Sequence, residues 1–284
     1  MFRITRKQIL NPVICLMEVE APRIAASALP GQFIICRVRE QGERVPLTIC
    51  DYDRTRGTIT IVTQQVGAST RMLCNLAEGD SFTDFVGPLG QPSEFTSWSA
   101  EKLRDTRFLF VAGGLGTAPV YPQAKFLHAL GAKVDVIVGA KNAGLLILED
   151  EMRAVCDNLY ICTDDGSKGF HGLVTQQIAN LLAEGRAYDQ AVAIGPMIMM
   201  KFTTLALRET GIPLTVSLNT LMVDGTGMCG GCRVTVGGKS RFACVEGPEF
   251  DAYQVDFDEA LRRQTIYRPQ EIEADHKCKI GRNE

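Results

Sequence analysis

The chain has 284 residues, of which 45% are hydrophobic and 22% are charged, and its formal net charge is −3. This composition is ordinary for a globular protein, and the length predicts two domains and a smaller third region. The slight acidic excess excludes a strongly basic nucleic-acid-binding protein, because phosphate recognition needs a surplus of lysine and arginine. No segment approaches the ~18 apolar residues of a membrane-spanning helix. The N-terminal segment also lacks the pattern of a signal peptide, so we expect a cytoplasmic protein without a membrane partner.

Residues 1–100 contain short β-branched segments separated by turn residues. Phe33–Arg39 and Gly57–Thr63 have the length and composition of strands, and turn-forming dipeptides such as Pro30–Gly31 lie between such segments. Many short strands at regular spacing indicate a small antiparallel β-barrel. The polar segment Gly90–Ala100 is a plausible domain boundary.

Residues 101–220 alternate between apolar strands and helical segments. The predicted strands are Arg107–Ala112, Lys133–Gly139, Asn158–Thr163, Gln190–Ile194 and Pro213–Leu218. The predicted helices are Ala118–Leu130, Glu149–Val155, Thr175–Glu184 and Met199–Thr210. This alternation predicts a doubly wound parallel sheet with helices on both faces.

Residues 221–284 form the third predicted region. The part up to Gly247 is rich in glycine and is predicted to be loop-like. The charged end is predicted to carry one short helix, Asp258–Arg263, followed by an extended tail.

Three of the ten cysteines stand in a distinctive pattern. Asp224, Cys229, Cys232 and Cys244 have the spacing D-x4-C-x2-C-x11-C. Plant-type 2Fe-2S proteins use C-x4-C-x2-C with a distant fourth cysteine, so an aspartate occupies the first ligand position here. A carboxylate is anionic and binds iron, although it is a harder donor than a thiolate. Glycines around the motif allow the loop to wrap closely around a cluster.

Other interpretations of this motif remain open. A structural zinc site usually repeats the paired-cysteine knuckle, and this chain has only one such pair. A redox-active dithiol of the thioredoxin type lies at a strand-to-helix turn, whereas Cys229 and Cys232 lie in a glycine-rich loop. Asp224 is either an iron ligand or a loop residue that bonds the backbone, in which case the fourth ligand lies elsewhere.

A glycine loop follows the first strand of the predicted parallel sheet. It contains Gly113, Gly114, Leu115, Gly116 and Thr117. Such a loop allows a tight turn and brings backbone N–H groups to a pyrophosphate at the helix N-terminus, although the spacing G-G-x-G is not the usual Rossmann fingerprint.

Two further loops follow later strands of the same sheet. They contain Asp164 and Asp165, and Gly195, Pro196 and Met197. Because ligands bind at the carboxyl ends of parallel strands, these loops together favour a dinucleotide site over a simple set of turns.

The order of a barrel, a nucleotide domain and a cysteine-rich C-terminal loop resembles the ferredoxin-NADP reductase superfamily. Within it the chain is similar to the dihydroorotate dehydrogenase electron-transfer subunit branch, on the motifs Pro46–Ile49, Gly87–Gly90, Gly113–Thr117 and the cluster pattern. The resemblance covers essentially the whole chain. It implies a FAD-binding barrel, an NAD(H)-binding α/β domain and a small 2Fe-2S loop region.

The resemblance also implies which residues hold the flavin. The isoalloxazine edge faces Pro46–Thr48, with the Thr48 hydroxyl near N5, and the loop after Gly67 holds the pyrophosphate. The full set of implied flavin-binding residues is Arg44, Pro46, Leu47, Thr48, Gln64, Gly67, Ser69 and Thr70. Members of the superfamily often have an arginine three positions before the hydroxyl residue. In this chain that position is Val45, and Arg44 is the candidate replacement.

The activity that the resemblance implies is electron transfer between NAD(H), FAD and a 2Fe-2S cluster, without an acid–base catalytic residue. The implied partner is a larger flavin and iron–sulfur subunit that binds NADP(H) and ferredoxin, in a heterodimer capable of flavin-based electron bifurcation. Two alternatives stay open. One is the electron-transfer subunit of an NAD-dependent dihydroorotate dehydrogenase, which usually shows four cysteines. The other is a non-redox accessory protein with a structural metal site.

Overall fold

An antiparallel barrel forms the N-terminal part of the molecule. The computed structural model describes residues 2–279. The barrel strands are β1 (Phe2–Asn11), β2 (Ile14–Glu20), β3 (Phe33–Arg37), β4 (Val45–Asp53), β5 (Thr58–Gln64), β6 (Ser81–Phe82) and β7 (Asp84–Leu89). Their order is β6-β1-β2-β5-β4-β3-β7, and all neighbours are antiparallel. Because one residue separates β6 from β7, the two sheet edges meet and nearly close the barrel.

Strand β5 shows how the sequence fills this barrel. Ile59 and Ile61 have no exposed surface and belong to the barrel core. Val62 points to the opposite side and is also buried, because the second domain packs there. Two short helices, α1 (Pro22–Ser27) and α2 (Ala68–Asn75), cover parts of the barrel.

The second domain is built from alternating strands and helices, as the sequence predicts. Its strands are β8 (Arg107–Gly113), β9 (Lys133–Ala140), β10 (Asn158–Thr163), β11 (Phe170–His171), β12 (Gln190–Ile194) and β13 (Leu214–Ser217). Its helices are α3 (Ala100–Asp105), α4 (Thr117–Ala129), α5 (Glu149–Arg153), α6 (Val174–Ala183) and α7 (Met197–Leu207).

The parallel sheet is covered on both faces. Its strand order is β11-β10-β9-β8-β12-β13, and all these neighbours are parallel. In β8, Leu109 and Val111 pack with α6 and α7, whereas Phe108 and Phe110 pack with α4 on the other face. The central strand is therefore buried on both sides, which is why it reads as a continuous apolar run.

The C-terminal region has more regular structure than the sequence predicts. A hairpin of β14 (Arg233–Val236) and β15 (Lys239–Phe242) turns at two glycines with φ of +59° and +72°. It is followed by α8 (Ala243–Glu246), β16 (Glu249–Asp251) and α9 (Phe257–Arg263). The predicted short helix is confirmed by α9. The predicted loop up to Gly247 is wrong, because paired glycines favour a tight hairpin there.

The predicted extended tail is also wrong, because residues 268–279 form α10 (Arg268–Lys279). This helix packs on α2, where Arg71 Nη2 forms an ion pair with Asp275 Oδ1 at 2.7 Å. Residues 280–284 of the predicted third region, and residue 1, lie outside the described residues. Among residues 2–279 no helix is long and apolar enough to cross a membrane.

The three regions are joined by buried apolar clusters. Ile14, Leu16 and Val62 of the barrel pack with Ala118 and Ile147 of the second domain. Phe33 and Ile35 of the barrel pack with residues of the C-terminal region, among them Cys232 and Cys244. Strand β16 adds to β13 in antiparallel orientation and so extends the parallel sheet across the predicted boundary at residue 220. The domain limits at residues 100 and 220 remain predictions.

Candidate cofactor sites

The four predicted cluster ligands come together as two pairs. The Cys229 thiol donates to Asp224 Oδ1 at 3.1 Å. The backbone N–H of Cys244 donates to Cys232 Sγ at 3.4 Å. Cys232 and Cys244 are buried, whereas Cys229 is exposed. The loop and the helix α8 therefore arrange the predicted donor set as two pairs, Asp224 with Cys229 and Cys232 with Cys244.

Two pairs of donors fit a two-iron cluster, because each iron of a 2Fe-2S centre takes two protein ligands. Among the described residues no group of three or more His, Cys, Asp or Glu side chains is arranged to hold a single metal ion. A mononuclear structural zinc site needs four such ligands around one point. The two pairs match the division of ligands in a 2Fe-2S cluster, with two for each iron.

Asp224 uses its two carboxylate oxygens differently. Oδ2 accepts hydrogen bonds from the Thr226 hydroxyl at 2.8 Å and from the Met228 N–H at 3.0 Å. Oδ1 faces the thiol of Cys229. The loop-forming role and the ligand role that compete in the sequence are therefore compatible, since one oxygen shapes the loop while the other points to the donor set.

The pKa values of Asp224 and Cys244 are shifted in opposite directions. The hydrogen bond from Cys229 and those from Thr226 and Met228 hold the pKa of Asp224 well below its usual range. Burial, together with the neighbouring Cys232 thiol, raises the pKa of Cys244 to about 12. A bound iron would instead lower the pKa of Cys244, because cysteine ligates metals as the thiolate.

The cluster loop lies directly against the barrel. A Cβ atom at Gly225, where φ is +76°, would lie 2.4 Å from Ile35 Cδ1, so only glycine allows this approach. Arg44 adds a polar link, since its Nε donates to the Val223 carbonyl at 3.0 Å and its Nη2 to the Asp224 carbonyl at 3.3 Å. The arginine expected to serve the flavin thus holds the backbone of the cluster loop.

The predicted flavin residues of the barrel lie in β4 and at the end of β5. Pro46, Leu47 and Thr48 lie in β4, are half-buried, and pair with β3. Gln64 ends β5 and is also partly exposed. Leu47 packs against the barrel core, so Pro46 and Thr48, which alternate with it along the strand, face the outside of the barrel.

The loop before α2 fits a phosphate group. Thr70 Oγ1 accepts hydrogen bonds from the N–H groups of Val66 and Gly67 at 2.9 and 3.1 Å, which fixes the first turn of the helix. The space beside Gly67 is open. The Ser69 hydroxyl donates to the carboxylate of Glu43, so an anionic group already occupies the N-terminal end of this helix. A helix N-terminus favours negative charge, and a pyrophosphate would replace that carboxylate.

The glycines after β8 have two different roles. A Cβ at Gly113 would lie 2.3 Å from Met199 Sδ, and one at Gly116 would lie 2.1 Å from the Ile194 carbonyl oxygen. These two glycines are therefore required by packing within the domain. Gly114 has φ of +54° and faces open space. Thr117 is fully buried and donates its hydroxyl to the Gly114 carbonyl at 3.0 Å.

This loop lies where the strand order reverses, because β9 and β12 flank β8 on opposite sides. The loop at Gly195 and Pro196 follows β12 and touches it, since a Cβ at Gly195 would lie 3.0 Å from Gly113 Cα. Leu115 packs toward the barrel. The open face at Gly114 thus lies at the crevice where doubly wound sheets bind dinucleotides.

Met197, Asp164 and Asp165, which are also predicted to bind the nucleotide, differ in their exposure and contacts. Met197 is only 2% exposed and packs in the core, so its side chain does not face this crevice. Asp165 Oδ1 accepts from the Ser167 N–H at 2.9 Å, and hydrogen bonds from Ser167 lower its pKa. Asp165 therefore shapes the turn, and both Asp165 and the neighbouring Asp164 are exposed.

Sequence reasoning missed Glu249, a carboxylate at the junction of the three regions. Its Oε1 accepts from Ser93 Oγ at 3.0 Å and from Gln123 Nε2 at 2.8 Å. Burial of the carboxyl raises its pKa to about 7. Gln123 is completely buried, and its Oε1 has no hydrogen-bond partner. A lone glutamate in β16 carries no sequence signal that would have found this junction.

Comparison with known proteins identifies the family. Residues 219–256 match the model of the iron–sulfur cluster binding domain of dihydroorotate dehydrogenase B. The dihydroorotate dehydrogenase B (NAD(+)) electron transfer subunit homolog of Thermotoga maritima is 46% identical over 253 residues, which are 89% of this chain and 86% of that protein. This chain belongs to the dihydroorotate dehydrogenase B electron-transfer subunit family.

Solved structures agree with this family. A structure of NADH-dependent reduced ferredoxin-NADP oxidoreductase, studied for flavin-based electron bifurcation, has 42% identity and a TM-score of 0.89, and the match covers 98% of this chain and 97% of that chain. Phthalate dioxygenase reductase shares the fold at 17% identity, with a TM-score of 0.55 over 83% of this chain and 85% of that one. The predicted fold class is confirmed.

The chain is accordingly an oxidoreductase subunit that transfers electrons between NAD(H), FAD and a 2Fe-2S cluster, as the sequence predicts. The residues assigned to each cofactor remain predictions.

Proposed function

We propose that this chain is the small subunit of an NADH-dependent reduced ferredoxin:NADP oxidoreductase. In this role it exchanges electrons between NAD(H) and a larger flavin and iron–sulfur subunit that binds NADP(H) and ferredoxin, in a heterodimer that carries out electron bifurcation. When bound, FAD supplies the change from two-electron to one-electron transfer, and the cluster supplies a one-electron store.

The observation that carries this proposal is the pairing of Asp224 with Cys229 and of Cys232 with Cys244, in a loop fixed to the barrel. Arg44 lies two residues before Pro46 and donates to the backbone of Asp224. The segment that leads into β4, the strand with Pro46 and Thr48, thus also contacts the backbone of a proposed cluster ligand. This arrangement keeps the two proposed one-electron centres next to each other.

The chain's own residues orient the nicotinamide nucleotide. The glycine loop at Gly114 offers backbone N–H groups and open space for the phosphates. The apolar cluster of Leu16, Val62 and Ala118 fixes the second domain against the barrel and excludes water between them. No acid–base side chain of this chain is required, because the bound cofactors would supply the hydride chemistry.

The alternative is an electron-transfer subunit of an NAD-dependent dihydroorotate dehydrogenase, which the names of several relatives favour. Two features favour the first proposal. The ferredoxin-NADP oxidoreductase structure matches this chain over 98% of its length at 42% identity. Asp224 also stands where the dehydrogenase subunits are expected to carry a fourth cysteine.

The test uses the complex as it occurs in its native host. The tagged chain is purified without oxygen together with its partner, and NADPH formation from NADP⁺ is measured with NADH and reduced ferredoxin supplied singly and together. We expect NADPH formation only when both donors are present. Oxidation of dihydroorotate coupled to NAD⁺ would show that the alternative is correct.

A separate measurement addresses the remaining alternative. Iron, acid-labile sulfide, zinc and FAD are determined for this chain produced and purified alone without oxygen, so that the flavin and iron–sulfur clusters of the partner subunit do not contribute. We expect two irons, two sulfides and one FAD per chain. A colourless, zinc-containing protein without flavin would contradict the proposal and support an accessory protein with a structural metal site.

A further inference from the structure

Two buried cysteines outside the cofactor sites face each other in the barrel core. Cys15 lies in β2 and Cys74 lies at the end of α2, 59 positions further along the chain. Their Sγ atoms are 3.0 Å apart. Cys15 is 2% exposed and Cys74 is 4% exposed, so neither thiol is available to large reagents.

The local structure holds the two sulfur atoms in this position. Cys15 pairs in register with Thr63 of β5, and the Cys74 thiol also lies 3.7 Å from the Thr63 carbonyl oxygen. Both cysteines belong to the same apolar core cluster. Since the bond length of a disulfide is about 2.05 Å, the sulfur atoms need to approach by only about 1 Å.

A positive charge lies beside the pair. Lys7 Nζ donates to the carbonyl oxygens of Cys74 and Leu76 at 2.6 and 2.5 Å, where it caps the C-terminal end of α2. Hydrogen bonding to Cys74 and the Lys7 ammonium lower the pKa of Cys15, although burial opposes them. Hydrogen bonding to Cys15 and burial raise the pKa of Cys74. The pair thus contains one thiol that ionises more readily and one that does not.

We propose that Cys15 and Cys74 are a redox-active dithiol that forms a reversible disulfide with a peroxide as oxidant. Other buried cysteines of the chain, such as Cys36 and Cys162, have no thiol within hydrogen-bond reach among the described residues. The disulfide would tie α2 to β2.

The chemistry of the proposal is balanced. The Cys15 thiolate attacks one oxygen of hydrogen peroxide, so that an S–O bond forms and the O–O bond breaks, and the released hydroxide takes a proton to become water. The sulfur of Cys74 then attacks that of Cys15. The S–S bond forms, the S–O bond breaks, and the second oxygen leaves as water with the Cys74 proton. Two thiols lose two electrons and the peroxide is reduced to two waters.

Peptide mapping of the holoprotein tests the proposal. The protein with FAD and cluster is treated without oxygen with small portions of hydrogen peroxide, the remaining thiols are alkylated after denaturation, and the unreduced protein is digested with trypsin. Cys15 lies alone in peptide Gln8–Arg23 and Cys74 alone in peptide Met72–Lys102. We expect these two peptides to be linked, at 2 Da below their summed mass, and to separate with dithiothreitol.

The variants and the controls make the test specific. Cys15→Ala and Cys74→Ala should each abolish the linked peptide, whereas Cys36→Ala, at another buried cysteine of the same core, should retain it. In the wild type the oxidised form should melt roughly 5–10 °C higher than the reduced form, because the crosslink closes a long loop.

Because the mapping is done on the wild-type protein, a variant that fails to fold leaves the test intact. Recovery of both peptides in alkylated, unlinked form after Cys278 has been oxidised would overturn the proposal. A mixture in which Cys15 or Cys74 is linked equally to other cysteines would also overturn it, because that outcome indicates oxidation of unfolded chains.

Discussion

The cluster loop and the nucleotide loop are both rich in glycine, but they use it differently. In the cluster loop, glycine lets the backbone turn so that side chains converge, as Gly225 does against Ile35. In the nucleotide loop the backbone itself is the binding surface, and Gly113 and Gly116 are small because other parts of the domain press on them. The first site should therefore be sensitive to the donor atoms and the second to the volume of its glycines.

The largest expected effect tests the role of volume. Gly116→Ala places a Cβ 2.1 Å from a backbone oxygen and should lower the free energy of unfolding by roughly 2–4 kcal/mol. NADH binding should be lost while the cluster is retained. Denaturant unfolding and NADH titration measure both effects. Gly114→Ala is the matched control, since it meets no atom within 4 Å and should cost only about 1 kcal/mol for its positive φ. An equal loss of unfolding free energy in the two variants would contradict the difference in packing between Gly116 and Gly114.

Removal of a donor atom should have a complementary effect in the cluster loop. Cys232→Ser should reduce the iron content of the purified chain at least tenfold, because a neutral hydroxyl replaces a buried thiolate ligand. FAD content and NADH binding should stay close to the wild type. Cys278→Ser, in α10, serves as the control and should keep its iron. Full iron occupancy in Cys232→Ser would exclude this residue as a ligand.

Substitutions of Asp224 test whether this residue is an iron ligand. Its Oδ2 accepts the hydrogen bonds that shape the loop, whereas its Oδ1 faces Cys229. Asp224→Cys should keep the iron and lower the reduction potential of the cluster, since a thiolate donates more charge to iron than a carboxylate does. Asp224→Ala should lose iron several-fold faster under a chelator. Redox titration and chelator kinetics measure these outcomes. If both variants kept the wild-type potential, the ligand would be another residue.

Arg44 distinguishes between the two sites that it borders. Because its guanidinium donates to the carbonyls of Val223 and Asp224, Arg44→Ala should speed the loss of iron several-fold and leave the FAD content unchanged. The Arg44→Lys variant should be intermediate, as lysine cannot make the same planar contacts. Loss of FAD with a stable cluster would instead support the flavin role that the family resemblance implies.

The smallest expected effect concerns Glu249. Its carboxyl has an ordinary pKa of 4.5 and a folded pKa of about 7, so the folded protein holds an extra proton between these values. Its contribution to stability is complete below pH 4.5 and is lost as the pH rises through 7. Because the side chain is partly exposed, the change should be about 2 kcal/mol.

The Glu249→Gln variant separates this titration from others. Its stability should depend less on pH between 4.5 and 7, as measured by urea unfolding at several pH values. A pH profile equal to that of the wild type would show that the carboxyl titrates normally.

The sequence by itself determined the order of the elements and the chemistry of the cluster loop. Strand and helix patterns were enough for five strands of the parallel sheet because each of these is a local apolar run, whereas the two-residue strand β11 was not predicted. The residue spacing was enough to predict an iron–sulfur site because all four proposed ligands lie within 21 consecutive residues, from Asp224 to Cys244. These properties depend on local order along the chain.

Only the tertiary structure decided how the regions meet. Arg44 reaches a loop that is 180 positions away, Glu249 is surrounded by residues from two other regions, and Met197 turns into the core instead of the crevice. The hairpin and α10 were also missed, because packing against the rest of the molecule stabilises elements whose local pattern is weak. Contacts between distant segments leave no regular spacing in a single sequence, and this is why they could not be predicted.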